Sequence, residues 1–166
     1  MEVKRNVWQS DNGIWKVTAR IFNDEYKGEK SFGSDVTLTK LVPKSGRFEL
    51  YSIRKKLPRY VEKAIAAAFE FTRKEHLEFV RAIELSSGDP FAALCKNDQI
   101  VVHTSKGNTG NVFFVAQDTE SITVLNYVYD TEEVIQKANI LELYHVVLQR
   151  NLYPTSEKGE LSEIQD

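Results

Sequence analysis

Hydrophobic and polar residues alternate along the first third of the chain, which is the pattern of half-buried strands. In Ile14 to Phe22 (IWKVTARIF), every second side chain from Trp15 onwards is apolar. Three further strands are predicted at Val3 to Gln9, Val36 to Val42 and Arg47 to Ile53. The charged, glycine-containing stretch Asn23 to Ser34 is predicted to be a loop. The pattern therefore predicts an N-terminal antiparallel β-sheet.

A helix is predicted after this sheet. Pro58 suits the first turn of a helix, and Tyr60 to Glu84 is rich in good helix formers. The apolar stripe slips near residues 72–75, which leaves three alternatives: one helix, two helices, or a helix followed by a strand at His76 to Leu85. The turn-forming sequence SSGDP at residues 86–90 is the clearest boundary in the chain.

The second half of the chain is again β-rich. Strands are predicted at Gln99 to Thr104, Asn111 to Ala116 and Ser121 to Tyr127, and Val134 to Leu148 is predicted to be a helix followed by a strand. Residues 154–166 are polar, with four acidic residues against one lysine, and are predicted to form a disordered acidic tail.

Residues 98–116 read DQIVVHTSKGNTGNVFFVA, an alternating strand, a lysine-glycine turn over residues 106–110 and a second strand opening at Asn111. This arrangement resembles the KOW motif of transcription elongation factors and ribosomal proteins, and the resemblance implies a small SH3-like barrel. The sequence departs from that family at Asn97, where glycine is common, and in the acidity of this half. The alternative is an ordinary hairpin in which Gly107 and Gly110 serve only the turn.

These elements predict an α+β protein with an N-terminal antiparallel β-sheet and a following helix, and the KOW resemblance implies that a small SH3-like (KOW-type) β-barrel comes next. The expected domain limits are residues 1–88 for the sheet and helix, 89–153 for the barrel, and 154–166 for the tail.

Composition and charge narrow the class of protein. The chain has 166 residues and a single cysteine, Cys95, so it cannot form an intramolecular disulfide and fits a reducing compartment. Residues 1–10 lack an uninterrupted apolar segment, so we expect no secretory signal, and no long apolar run suggests a membrane span. We therefore expect a cytoplasmic protein that makes no contact with a membrane.

The charge is distributed unevenly along the chain. Residues 1–90 carry 17 Lys plus Arg against 13 Asp plus Glu, a net charge of +4, whereas residues 91–166 carry −6. A basic half of this kind is typical of contact with nucleic acid. Its densest part, together with the lysine of the glycine turn, supplies the candidate nucleic-acid-binding residues: Lys40, Lys44, Arg47, Arg54, Lys55, Lys56, Arg59 and Lys106.

Aromatic residues accompany the basic ones. The same half contains Trp8, Trp15, Tyr26, Tyr51 and Tyr60, and any exposed ring among them could stack on unpaired bases, which is how proteins usually bind single strands. The alternative is that most of these aromatics lie in the core and that residues 54–56 solvate a loop.

Catalytic and metal-binding motifs are missing from the sequence. His76, His103 and His145 are far apart and fit no metal-ligand spacing, and a pairing of Cys95 with His103 is more typical of packing than of a nucleophile. The sequence has no GxGxxG, Walker or GxSxG motif. We therefore expect no enzymatic activity, no cofactor and no metal.

Two functions follow as hypotheses. The first is a non-catalytic nucleic-acid-binding protein (DNA or RNA), such as a regulator of transcription or of the nucleoid. The second is a protein-interaction module that docks on a polymerase, a ribosome or another partner of the transcription or translation machinery.

Overall fold

The computed structural model describes residues 1–154 of the chain. It contains a four-stranded antiparallel sheet, one long helix and a six-stranded antiparallel sheet, which confirms the α+β class. Two compact units are present, Met1–His76 and Leu77–Asp166, and the helix α1 (Arg59–Ser87) contributes residues to both. The sequence pattern set the domain limit at residues 88 and 89, and that limit stays a prediction. Apart from Pro154, the predicted tail lies outside the described residues.

The first unit is built on a four-stranded meander. Its strands are β1 (Glu2–Gln9), β2 (Trp15–Tyr26), β3 (Glu29–Val42) and β4 (Arg47–Leu50), and each pairs with the next in the order β1-β2-β3-β4. The predicted alternation in β2 is confirmed, because Trp15, Val17, Ala19 and Ile21 are all buried.

The helix covers the face of the sheet that carries these buried side chains. Val61, Ile65 and Ala68 recur at the spacing of one helix face, and they join Val17 and Leu38 in a single apolar core. The helix runs unbroken from Arg59 to Ser87, so the single-helix alternative is confirmed.

The predicted loop at Asn23 to Ser34 is wrong. Strands β2 and β3 continue through this segment in unbroken register, from Trp15 opposite Lys40 to Tyr26 opposite Glu29. Lys27 and Gly28 form the two-residue turn, and their φ angles of 52° and 82° suit the twist of a tight hairpin. The outer part of the hairpin is exposed, so its side chains lack the apolar alternation by which a strand is recognised.

The second unit contains the larger sheet. Its strands are β5 (Gln99–Thr104), β6 (Gly107–Gln117), β7 (Ser121–Asn126), β8 (Thr131–Gln136), β9 (Ile140–His145) and β10 (Arg150–Tyr153). They pair in the order β10-β9-β5-β6-β7-β8, and within residues 1–154 this order does not close into a ring. The predicted barrel is therefore not confirmed. None of the helices in the described part of the chain is long and apolar enough to cross a membrane.

The helix predicted at the start of Val134 to Leu148 is wrong. This segment forms the end of β8, a 3₁₀ turn at Lys137–Asn139, and β9. Its residues include good helix formers, but β8 pairs along its whole length with β7, and β9 pairs with β5. Tertiary pairing thus overrides local propensity here.

The glycine turn is shorter than predicted. Ser105 and Lys106 form it, and β6 already begins at Gly107. Gly110 lies further along β6, where the register against β5 shifts between Val101 and His103, and its φ is +68°. This positive φ favours glycine, and Gly110 serves a β-bulge.

Replacing Gly110 by valine is expected to destabilise the second unit by about 1–3 kcal/mol, because a β-branched residue resists positive φ. A Cβ atom at this position would meet no heavy atom within 4 Å, so the cost comes from the backbone alone. Thermal unfolding measures it. Gly110→Asn is the control, since asparagine tolerates this conformation, and it is expected to lose less. A Gly110→Val protein that melts like wild type would contradict the prediction.

Candidate nucleic-acid interface

Seven of the eight predicted basic residues lie in the first unit, in three consecutive segments. Lys40 is on β3, Lys44 lies in the β3–β4 turn and Arg47 begins β4, and residues 54–59 lead from β4 into the first position of α1. All except Lys40 are exposed. We refer to this set as the basic cluster: Lys40, Lys44, Arg47, Arg54, Lys55, Lys56 and Arg59. The eighth residue, Lys106, lies in the second unit at the β5–β6 turn.

Local turns present the basic cluster to solvent. Gly46, with a φ of +66°, closes the β3–β4 turn by donating its N–H to the carbonyl of Val42 (2.8 Å). Ser52 organises the segment after β4, because its Oγ accepts from the N–H of Arg54 (3.3 Å) and its carbonyl accepts from that of Lys55 (3.2 Å). The chain therefore bends twice, and each bend presents basic side chains.

Two members of the cluster converge on one pair of aromatic rings. The rings of Trp15 and Tyr51 meet edge to face, with their centroids 5.1 Å apart. Lys40, the cross-strand partner of Trp15, places its Nζ 4.9 Å from the Trp15 ring centroid. Lys55 places its Nζ 5.0 Å from the Tyr51 ring centroid. The structure thus joins strand β3 to the segment after β4 around mixed basic and aromatic groups.

Several other basic residues of the same unit form ion pairs, and within the described residues the cluster does not. Lys4 pairs with Glu75 at 2.6 Å, Arg5 with Glu2 at 2.9 Å, and Arg20 with Asp35 at 2.5 Å. The hydrogen bond to Asp35, followed by the charge of that carboxylate, raises the pKa of Arg20. By contrast, no member of the basic cluster forms an ion pair with any of residues 1–154. Its charges are available to an external anion.

A cavity of about 440 Å³ lies beside the cluster, between the β1–β2 turn and the first turns of α1. Its aromatic lining comes from Trp8, Trp15 and Tyr60, and we call it the aromatic cavity. The sequence indicated these three residues as stacking candidates, but it did not predict that they line one space. Tyr26, another candidate, lies at the exposed end of β2, next to the β2–β3 turn.

The polar rim of the aromatic cavity is the β1–β2 turn. Ser10 Oγ donates to Asn12 Oδ1 (2.6 Å) and accepts from the N–H of Trp15 (3.0 Å), while Asn12 Oδ1 also accepts from the N–H of Ile14 (3.1 Å). The carbonyl of Ser10 accepts from the N–H of Gly13 (2.9 Å). These bonds fix the turn, so the rim is formed before any ligand binds.

The second unit contains a buried polar network that the sequence did not indicate. Asp98 Oδ2 accepts from the N–H of Cys95 (2.8 Å) and lies 3.3 Å from Nε2 of His145. Nδ1 of His145 accepts from the N–H of Leu148 (3.1 Å). Because Nδ1 is an acceptor, the neutral ring carries its proton on Nε2, which faces the carboxylate. Cys95 is buried, whereas His103 is exposed.

The geometry of the first unit suits the binding of a polyanion that itself exposes aromatic rings. Unpaired basic side chains can hold phosphates, and aromatic surfaces beside them can stack on bases. The chain matches no protein-family model, no curated protein and no solved structure.

Proposed function

We propose that this chain is a non-catalytic nucleic-acid-binding protein that acts as a regulator of transcription or of the nucleoid. The observation that carries the proposal is the basic cluster: seven basic side chains within residues 40–59, six of them exposed and none in an ion pair within residues 1–154. The backbone of a nucleic acid carries phosphates at regular spacing, and these can pair with the basic side chains of the cluster. Each phosphate that is bound releases condensed counterions, which is the main source of affinity for such surfaces.

The second unit contributes an SH3-like, KOW-type module in this proposal. Its strand order β9-β5-β6-β7-β8, with a 3₁₀ turn between β8 and β9, supports the proposal. An SH3-like barrel has the same succession, in which the fifth strand returns beside the first. Asn97 has a φ of +73°, so it adopts the conformation that glycine favours at the position where the KOW family commonly has glycine. Lys106 then lies at the turn that opens the motif.

The test is a gel-shift series on single- and double-stranded DNA and RNA at increasing salt. We expect a shift at low salt, with the logarithm of the association constant falling linearly against the logarithm of salt concentration. The slope reports about 0.9 per bound phosphate on duplex DNA and about 0.7 on single strands. Wild-type protein that shifts none of the four nucleic acids at low salt would overturn the proposal.

A protein-interaction module is the second candidate, and one feature of the second unit favours it. The turn between β7 and β8 exposes 69% of Val128 and 74% of Tyr129 beside Asp130, Glu132 and Glu133. Exposed apolar side chains with acidic residues next to them in the chain fit a basic patch on a protein partner.

The matching experiment is co-sedimentation with ribosomes and co-elution with RNA polymerase. If this candidate is right, wild-type protein is retained by one of them, and Tyr129→Ser releases it. Retention that ignores the Tyr129→Ser change would exclude the β7–β8 turn as the binding surface.

A further inference from the structure

The aromatic cavity and the basic cluster meet at the side chain of Trp15. Trp15 lines the cavity, and Nζ of Lys40 lies 4.9 Å from the centroid of its ring. We propose that the aromatic cavity takes one unpaired nucleobase of a single-stranded nucleic acid, whose phosphates lie along the basic cluster. This inference rests on the proposed function and adds to it a choice of single strands over duplexes.

The dimensions and lining of the cavity suit a flat aromatic ligand. Its volume of about 440 Å³ lies within the usual range of small-molecule pockets, roughly 300–1,000 Å³. Trp8 and Tyr60 are partly exposed, whereas Trp15 is buried. A base that enters the cavity can stack on Trp8 or Tyr60 through its flat faces, and these are the surfaces that a duplex hides within its own stack.

The charge of the polar rim favours entry of a base, and not of a phosphate, into the aromatic cavity. Asp11 brings a negative charge to the cavity, and a phosphate would be repelled by it. Within the described part of the chain, the side chains of Gln9 and Asp11 make no hydrogen bond, whereas those of Ser10 and Asn12 are used by the turn. Gln9 and Asp11 can therefore pair with the polar edge of a base, and a carboxylate favours an edge that carries an amino group.

The charges around the cavity orient the strand. Arg59 immediately precedes Tyr60 at the start of α1, and residues 54–56 precede it in the same segment. The basic cluster thus adjoins the cavity along the chain at Arg59 and in space at Lys40, whereas the β1–β2 turn contributes Asp11 and neutral residues to the rim. A strand whose base points into the cavity keeps its sugar and phosphates on the basic side.

Truncation of Tyr60 tests the proposal against a matched control. Tyr60 and Phe69 are 50% and 51% exposed on the same helix, and nine residues place them on opposite sides of it. Tyr60→Ala is expected to weaken binding of a single-stranded oligonucleotide by about 5- to 150-fold, the usual loss for one stacking ring, and to leave duplex binding unchanged. Phe69→Ala is expected to change neither.

Tryptophan fluorescence gives a second measurement that needs no variant. The chain has two tryptophans, and both line the aromatic cavity. Titration with a short single-stranded oligonucleotide is expected to quench their emission. An abasic strand of equal length has the same phosphates but no bases, and it is expected to bind without this quenching.

The outcomes separate the two proposals. If wild-type protein binds nucleic acid, and Tyr60→Ala binds single strands as tightly as wild type, the base cavity is wrong and the proposed function stands. Equal quenching by the abasic strand also overturns the base cavity. If wild-type protein binds no nucleic acid at low salt, both proposals fail.

Discussion

Replacing Arg54, Lys55 and Lys56 together by alanine is expected to weaken nucleic-acid binding by about 100- to 500-fold at 0.1 M salt, if each side chain binds one phosphate. The three residues are consecutive, exposed and outside every ion pair of the described residues. The slope of the salt dependence should fall by about 0.7 to 0.9 for each phosphate that is no longer bound. The weakening should be nearly equal for every sequence, because phosphates carry no base identity.

Two controls accompany this prediction. Lys106→Ala removes a predicted site residue of the second unit and is expected to matter less. A triple alanine variant at Lys27, Lys30 and Lys74 removes the same charge from exposed positions of the first unit outside the cluster, and it should retain most of the affinity. Exposed substitutions usually change stability by under about half a kcal/mol, so all three proteins should melt like wild type. Binding that ignores the Arg54, Lys55 and Lys56 change would place the binding surface elsewhere.

Asp98→Ala should have the largest effect on stability of the single changes considered, about 2–4 kcal/mol in the second unit. The substitution removes the acceptor of the Cys95 N–H and the carboxylate that faces Nε2 of His145. Cys95 and His145 are both buried, so water cannot take the place of the carboxylate. Chemical denaturation followed by fluorescence or circular dichroism gives the free energy of unfolding.

The control for this prediction is Asp98→Asn. An asparagine keeps an oxygen that can accept from the N–H of Cys95, so it should lose less stability than alanine does. Equal losses for the two variants would mean that the charge, and not the hydrogen bond to Cys95, holds this turn. If Asp98→Ala is as stable as wild type, the buried polar network does not stabilise the second unit.

The elements that the sequence predicted well have one face in the core. In β2 the alternation from Trp15 to Ile21 is a direct consequence of burial, so the pattern and the structure agree. Gly110 was recognisable as a glycine-dependent position, although not as a bulge within β6, because few other residues tolerate its backbone conformation. In both places, the local sequence and the tertiary environment favour the same backbone conformation.

The elements that the sequence missed depend on partners. The β2–β3 hairpin beyond Asn23 is held by cross-strand backbone bonds, which leave no apolar signature in exposed side chains. Val134 to Leu148 contains helix formers, but strands β7 and β5 offer backbone hydrogen bonds that only a strand can accept and donate. The interaction between Asp98 and His145 joins positions that are distant in sequence and fit no known spacing.

The candidate site was predictable in its composition but not in its geometry. The basic cluster stands out in the sequence because its charges are dense between Lys40 and Arg59. That Lys40 and Lys55 meet at the Trp15–Tyr51 pair depends on the register of β3 and on the turn at Ser52. The aromatic cavity depends on how α1 crosses the first sheet, which no local pattern encodes.

The strand orders of the two sheets have a consequence for how the chain folds. In the first sheet every strand pairs with its sequence neighbour, and Trp15 and Lys40, at the far end of the β2–β3 ladder, are 25 positions apart. In the second sheet β9 pairs with β5, and Ile100 lies opposite His145, which is 45 positions away. Pairing of strands that are distant in sequence first costs the entropy of closing a long loop, and the contacts that offset this cost form only afterwards. Folding therefore slows as the contact order rises. We therefore expect the meander of the first unit to form rapidly from local contacts, and the pairing of β9 with β5 to be the slower step in the second unit.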